Sequence, residues 1–234
     1  MDHIKLRKSR DRGYADHGWL KTFHTFSFAD YYSEDFMNFR TLRVINEDKV
    51  APGSGFGTHP HRDMEIITYV VDGELAHKDS MGNGSVIKPG CLQRMTAGSG
   101  VTHSEFNPSQ KQPVHLLQIW ILPEKKGLTP SYQELDLNSA RKENALTLAA
   151  SSDAEGRVLK VHQDMNLYFG LLKKDGQLSH SLAKGRGLWL QMIKGAAEIN
   201  GTALVQGDGV SVEGEEKITV KAKEPAEFLL FDLK

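Results

Sequence analysis

Cysteine is almost absent: Cys91 stands alone among 234 residues, so an internal disulfide is excluded and the usage fits a reducing cytoplasm. A lone cysteine is more often inert core than a reactive thiol. Long apolar runs are missing too. None approaches the roughly 18 residues a membrane span needs, and the charged opening MDHIKLRKSRDRG lacks the apolar stretch of a signal peptide. A cytoplasmic protein is expected. Nor is there an excess of charge of one sign: 29 Lys and Arg face 30 Asp and Glu, so no net field draws the chain to nucleic acid or to an anionic membrane. A small, nearly neutral ligand fits this balance better, and the length is ample for a sizeable core in one large domain or two small ones.

Histidine is present in pairs with carboxylate close by. His59-x-His61 lies in GSGFGTHPHRDMEIITYVVDG and His103-x-Glu105 in AGSGVTHSEFN, each introduced by turn-forming glycines. On a β-strand, side chains at i and i+2 leave the same face about 6.6 Å apart, so each pair sends two donors into one cavity. Two such strands close around one ion. Glu65 is a second carboxylate candidate, four residues beyond His61, and strand parity alone leaves Glu65 and Glu105 equal. Without a cation, three buried imidazoles and a carboxylate would be costly unsatisfied groups. Absence of cysteine ligands argues against structural zinc.

Around these motifs the chain reads as short strands divided by turns, the pattern of an antiparallel sandwich or barrel. TFHTFSF and LRVIN suggest strands in the aromatic-rich stretch 6–46, and VHLLQIWIL (114–122) suggests a buried one, stopped by Pro123. The stretch 124–157 is polar and reads as a connecting segment, with helix expected around Leu137–Leu148. The region 158–233 repeats the first: VVDGELAHKDSMGNGSVIKPG parallels MIKGAAEINGTALVQGDG, and PVHLLQIWI parallels PAEFLLFDL. Counted from Gly195, the places of His59 and His61 hold Ser181 and Ala183. Counted from Pro225, those of His103 and Glu105 hold Glu215 and Lys217. One ion is therefore expected, in the N-terminal half only. His24, His162 and His180 read as isolated structural or surface histidines.

The two histidine segments resemble the paired motifs of the cupin superfamily. HPHRDMEIITYV and GVTHSEFNPS, with the opening DHGWLKTFHTFSFADYY, are similar to its pirin branch over nearly the whole chain, and closest to bacterial pirin-like quercetin 2,3-dioxygenases. That resemblance implies an all-β bicupin, two antiparallel jelly-roll-like β-barrel domains packed together. The expected boundaries are 1–123 with the metal site, 124–157 as connection and 158–234 without a metal. It also implies the ligand set His59, His61, His103 and Glu105, with Glu65 left as a buried hydrogen-bonding residue behind them. The cofactor is one divalent cation, Fe(II) first, with Ni, Co, Mn, Cu or Zn also suited to imidazole and carboxylate.

The implied reaction is cleavage of the flavonol heterocycle by dioxygen with release of carbon monoxide, Glu105 serving as ligand and general base. Phe56, Met64, Met95, Phe106 and Trp120 are candidates for an apolar mouth. The partners are then a flavonol or similar small aromatic and O2. Two other readings share the fold: a metal-binding regulatory protein that associates with other proteins, as eukaryotic pirins do, and a non-oxidative cupin enzyme.

Overall fold

A computed structural model describes residues 3–234 as an all-β chain of antiparallel strands. Two short 3-10 turns, Ser9–Asp11 and Glu34–Phe36, are the helical elements among the described residues. The chain forms two compact units. One holds residues 13–138 with 159–163; the other holds the segment ending at Arg12, residues 139–158 and residues 164–234. The stretch 137–148, expected to include helix, has none: Ala145–Ser151 is a strand paired with Met165–Leu172. The alternative ladder wins because Ala145–Ser151 finds a partner strand of eight residues, whereas an isolated helix of that length is marginal in water. The polar connection also supplies Ser131–Asp136, which pairs with Cys91–Thr96.

In the first unit the strands rich in β-branched and aromatic residues form a seven-stranded sheet. Its order is Ser131–Asp136, Cys91–Thr96, Glu65–Asp72, Val114–Ile121, Leu42–Val50, Leu20–His24 and Gly13–Asp16. A four-stranded sheet runs Gly55–His61, Val101–Phe106, Leu75–Asp79 and Gly84–Ile87. Leu20, Val50, Val70, Leu75, Ile87, Val114 and Leu116 pack into one apolar cluster drawn from both sheets.

The second unit repeats this plan. Ile4–Arg7, Gly209–Glu213, Gly187–Lys194, Ala226–Leu233, Met165–Leu172 and Ala145–Ser151 follow one another in its large sheet, and Gln177–Ser181, Lys217–Ala222, Ala196–Ile199 and Thr202–Val205 in its small one. Gly73 and Gly195 mark the repeat: both have positive φ, 74° and 75°, and a Cβ would stand 2.6 Å from the Pro113 carbonyl oxygen or 1.9 Å from that of Pro225. Only glycine fits either corner.

Cross-strand register revises the counting made from Pro225. Glu105 lies opposite His77, four residues after Gly73, and Val220 lies opposite Ile199, four residues after Gly195. The places of His103 and Glu105 are therefore taken by Ile218 and Val220, not by Glu215 and Lys217. The hairpins differ in length, which a count along the chain cannot register.

Candidate metal centre

Gly55–His61 and Val101–Phe106 are neighbours in the small sheet of the first unit, and His59 lies directly opposite His103. A register shift between His103 and Glu105 leaves Ser104 unpaired on that side and sets Glu105 opposite Phe56. Such a bulge re-aims a side chain without breaking the strand. His103 and Glu105 are both buried while Thr102 and Phe106 are exposed, so the pair faces inward as i, i+2 spacing requires.

The ring nitrogens of His59, His61 and His103 lie within 4.8 Å of one another. His59 Nδ1 donates to the carbonyl of Gly57 at 2.8 Å, which fixes the ring, and its Nε2 stands 3.1 Å from His103 Nε2. Two nitrogen donors each about 2.1 Å from one ion, at right angles to it, stand roughly 3 Å apart. Burial holds His61 down to about 4 and His103 down to about 3, with the neighbouring imidazoles adding to the effect. Both are neutral at physiological pH, the state that ligates.

Glu105 is placed differently. Its carboxylate comes within 4.8 Å of ligand atoms of His77 and His103, but it does not join the group formed by the three histidines. Thr68 Oγ1 donates to Gln118 Oε1 at 2.8 Å, fixing that amide, and Gln118 Nε2 donates to Glu105 Oε2 at 3.0 Å. Burial, helped by the nearby Asp48 carboxylate, pushes Glu105 up to about 7.

Behind His103 lies a chain of polar groups that sequence reading missed. Gln93 Nε2 donates to His77 Nδ1 at 3.0 Å, His77 Nε2 faces Asp79 Oδ2 at 3.4 Å, and His103 Nδ1 stands 3.5 Å from His77 Nδ1. His77 also stacks on Tyr132, with centroids 4.9 Å apart. This arrangement orients the His103 ring, as outer partners of ligating imidazoles commonly do.

Glu65 points elsewhere. The chain turns at Asp63, where φ is 50°, before entering Glu65–Asp72, so parity counted from His61 does not carry across. In the new strand Thr68 faces the cavity and Glu65, three residues earlier, faces the opposite side. There Thr96 Oγ1 donates to it at 3.1 Å and His162 Nδ1 stands at 3.3 Å.

His59, His61 and Glu105 line a cavity of about 320 Å³ in this unit, with His103 buried behind them. His24, Asn46 and Gln118 line it from adjacent strands, and the same polar row continues across the sheet through Thr68 and Gln93. His24 Nδ1 meets Asn46 Oδ1 at 2.8 Å. Phe56 and Trp120 line the cavity. Met64 and Met95 pack instead with Ile66 and Val101, and Phe106 is exposed. Sequence reading missed Gln118 and Asp48 as well: Gln118 is a polar residue in the middle of the apolar run VHLLQIWIL, and Asp48 belongs to the polar run Asn46–Lys49 inside the strand Leu42–Val50. Cys91 is half-buried, and burial pushes its thiol up, away from a reactive thiolate.

Comparison with known proteins agrees in both halves. A pirin family model matches residues 5–121, and one described as the quercetinase C-terminal cupin domain matches residues 148–233. The chain is 49% identical to a quercetin 2,3-dioxygenase of Escherichia coli K12, with 98% of each covered. It is 42% identical to a putative quercetin 2,3-dioxygenase of Pasteurella multocida, covering 98% of this chain and 99% of that one. The crystal structure of the bacterial pirin YhhW from Escherichia coli in complex with nickel(II) superposes with a TM-score of 0.94 at 48% identity, covering 98% of each chain.

Proposed function

The chain belongs to the pirin family, and from that premise we propose that it is a metal-dependent dioxygenase that opens the heterocycle of flavonols such as quercetin with O2 and releases carbon monoxide. The observation that carries this reading is the convergence of three imidazoles on one point at the edge of a largely apolar cavity, with a buried carboxylate beside them. His59, His61 and His103 are the proposed protein ligands, with the Glu105 carboxylate as the fourth. Fe(II) is the ion proposed first; nickel, named in the YhhW structure, is the leading alternative. In each unit the paired sheets are read as one jelly-roll-like barrel, which makes the protein a bicupin working in the cytoplasm.

When bound, a divalent ion supplies positive charge that lowers the pKa of a hydroxyl placed on it. The protein's own groups do the rest. Glu105 Oε1 is the oxygen not engaged by Gln118, and it accepts the proton of the flavonol 3-hydroxyl. Gln118, itself fixed by Thr68, holds the other oxygen, and the Thr68 hydroxyl stands 3.5 Å from Oε1, so the base keeps one orientation as it gains the proton. Phe56 and Trp120 give the flat ring an apolar wall and would exclude water from it.

The test is carbon monoxide released per quercetin consumed in air, comparing protein loaded with Fe(II), Ni(II) or Zn(II) against stripped protein. Metal-dependent stoichiometric release is expected. Metal binding without release under any ion overturns the proposal in favour of a regulatory pirin or a non-oxidative cupin enzyme.

A further inference from the structure

Buried polar atoms almost always have partners, so those without one identify where a ligand or solvent must complete the structure. Three atoms of residues lining the cavity, Thr22 Oγ1, Asp48 Oδ1 and Trp120 Nε1, lack a partner in good hydrogen-bonding geometry, although the Thr22 hydroxyl lies near enough to the Asp48 carboxyl to stabilise its charged form. Thr22 and Asp48 are direct cross-strand partners on the strands Leu20–His24 and Leu42–Val50, and both are nearly inaccessible, at 3% and 4% exposure. Trp120 sits edge-on to His61, with centroids 5.2 Å apart at 85°. One cavity thus offers an acceptor, a hydroxyl that both donates and accepts, and an indole donor, separate from the atoms that converge on the metal point.

A flavonol would present its 3-hydroxyl and the adjacent 4-keto oxygen to the ion as a chelating pair, which leaves its other ring hydroxyls unassigned. Resting on that reading, we propose that Asp48 is a specificity-determining residue: its Oδ1 accepts a hydrogen bond from a ring hydroxyl of the substrate outside the chelating pair, with Thr22 Oγ1 beside it. A carboxyl oxygen accepts such a bond whether or not the group carries a proton. A substrate lacking that hydroxyl leaves a buried acceptor unpaired, which is how polar pockets reject smaller analogues. The site then prefers polyhydroxylated flavonols over the bare ring system.

The experiment is anaerobic titration of the Zn(II)-loaded protein, followed by tryptophan fluorescence, with quercetin and with 3-hydroxyflavone, which lacks the additional hydroxyls. Wild type is expected to bind quercetin about tenfold more tightly. Asp48→Leu is expected to lose that preference while holding its affinity for 3-hydroxyflavone within about twofold, and Asp48→Asn, which keeps an acceptor oxygen, to retain part of it. An undiminished preference in Asp48→Leu overturns the assignment, as does equal loss of both ligands in Asp48→Leu and Asp48→Asn, which would make Asp48 merely structural. Failure of the wild type to bind either flavonol overturns the flavonol reading itself, a result visible before any variant is made.

Discussion

The two units share one strand order, yet one carries a candidate metal centre and the other a plain core. The polar row His24, Asn46, Gln118, Thr68 and Gln93 corresponds by register to Leu148, Tyr168, Leu230, Leu190 and Val210. Asp48 corresponds to Gly170, where the Phe228 ring occupies the space a side chain would need. Ile218 and Val220 replace His103 and Glu105, and both belong to the apolar cluster of that unit. His180, opposite Ile218, stands where His59 stands opposite His103. It is tied at 2.9 Å to Asp232, which also pairs with Arg186, and Arg186 reaches Asp164 at 2.7 Å. Every charge there already has an opposite. The same scaffold either leaves donors convergent and unneutralised, or replaces them with hydrocarbon and a closed ion network.

The largest effect that tests this contrast comes from the ligands. His61→Ala is expected to abolish tight metal binding, while His180→Ala leaves one ion per chain; a full equivalent retained by His61→Ala, measured by elemental analysis, would refute the assignment. Glu105→Gln should keep some metal yet lose flavonol turnover by about 10²- to 10⁴-fold, read as carbon monoxide release. Unchanged turnover removes Glu105 as base. Converting a core position to its counterpart, Leu190→Thr, is expected to cost about 2–4 kcal/mol in thermal unfolding, because the hydroxyl enters a site with no polar neighbour corresponding to Gln118. His77→Ala touches no proposed ligand atom position but frees the His103 ring, and metal affinity should fall about 10- to 100-fold.

The smallest effect is in pH dependence. Asp48 and Glu105 are raised to about 6 and about 7, chiefly by burial, so the folded state keeps protons that the unfolded chain releases near 4. Their contribution is full below that range and lost as pH rises through 6–7. Above pH 6.5 the depressed histidines are neutral in both states and add nothing. Asp232 is lowered by His180 and Arg186 against the opposing effect of burial, so its contribution is present above pH 3.8 and lost as pH falls. Stripped protein should therefore lose melting temperature between pH 6 and 8, and reloading with metal should remove that loss. A flat profile in stripped protein would contradict the raised carboxyls.

How much was readable from sequence follows from distance along the chain. His-x-His and His-x-Glu are local, and i, i+2 parity within one strand is enough to face each pair inward. Glu65 defeated the same argument because Asp63 bends the chain between His61 and the next strand. Asp48, Thr22 and His77 join the site only through pairings of Leu42–Val50, Leu20–His24 and Leu75–Asp79, information held in sheet register. The loss of the His-x-His and His-x-Glu pairs in the second half was visible by counting along the chain, but register was needed to show that His180, not Ser181, takes the place of His59 and that Ile218 and Val220 take those of His103 and Glu105. The helix expected near Leu137 failed for a related reason, since a strand partner outweighs local propensity.

The pairing of Ile4–Arg7 with Gly209–Glu213 has a consequence for the order of events during synthesis. At about 5–20 residues per second, Ile4–Arg7 waits roughly 10–40 s after its own synthesis for its partner to be made. The unit holding His59, His61 and His103 is finished well before that, so metal capture can precede closure of the second half. A strand exposed for so long is a natural client for a chaperone, and alternating charge in Ile-Lys-Leu-Arg keeps it from pairing with other chains in the interval.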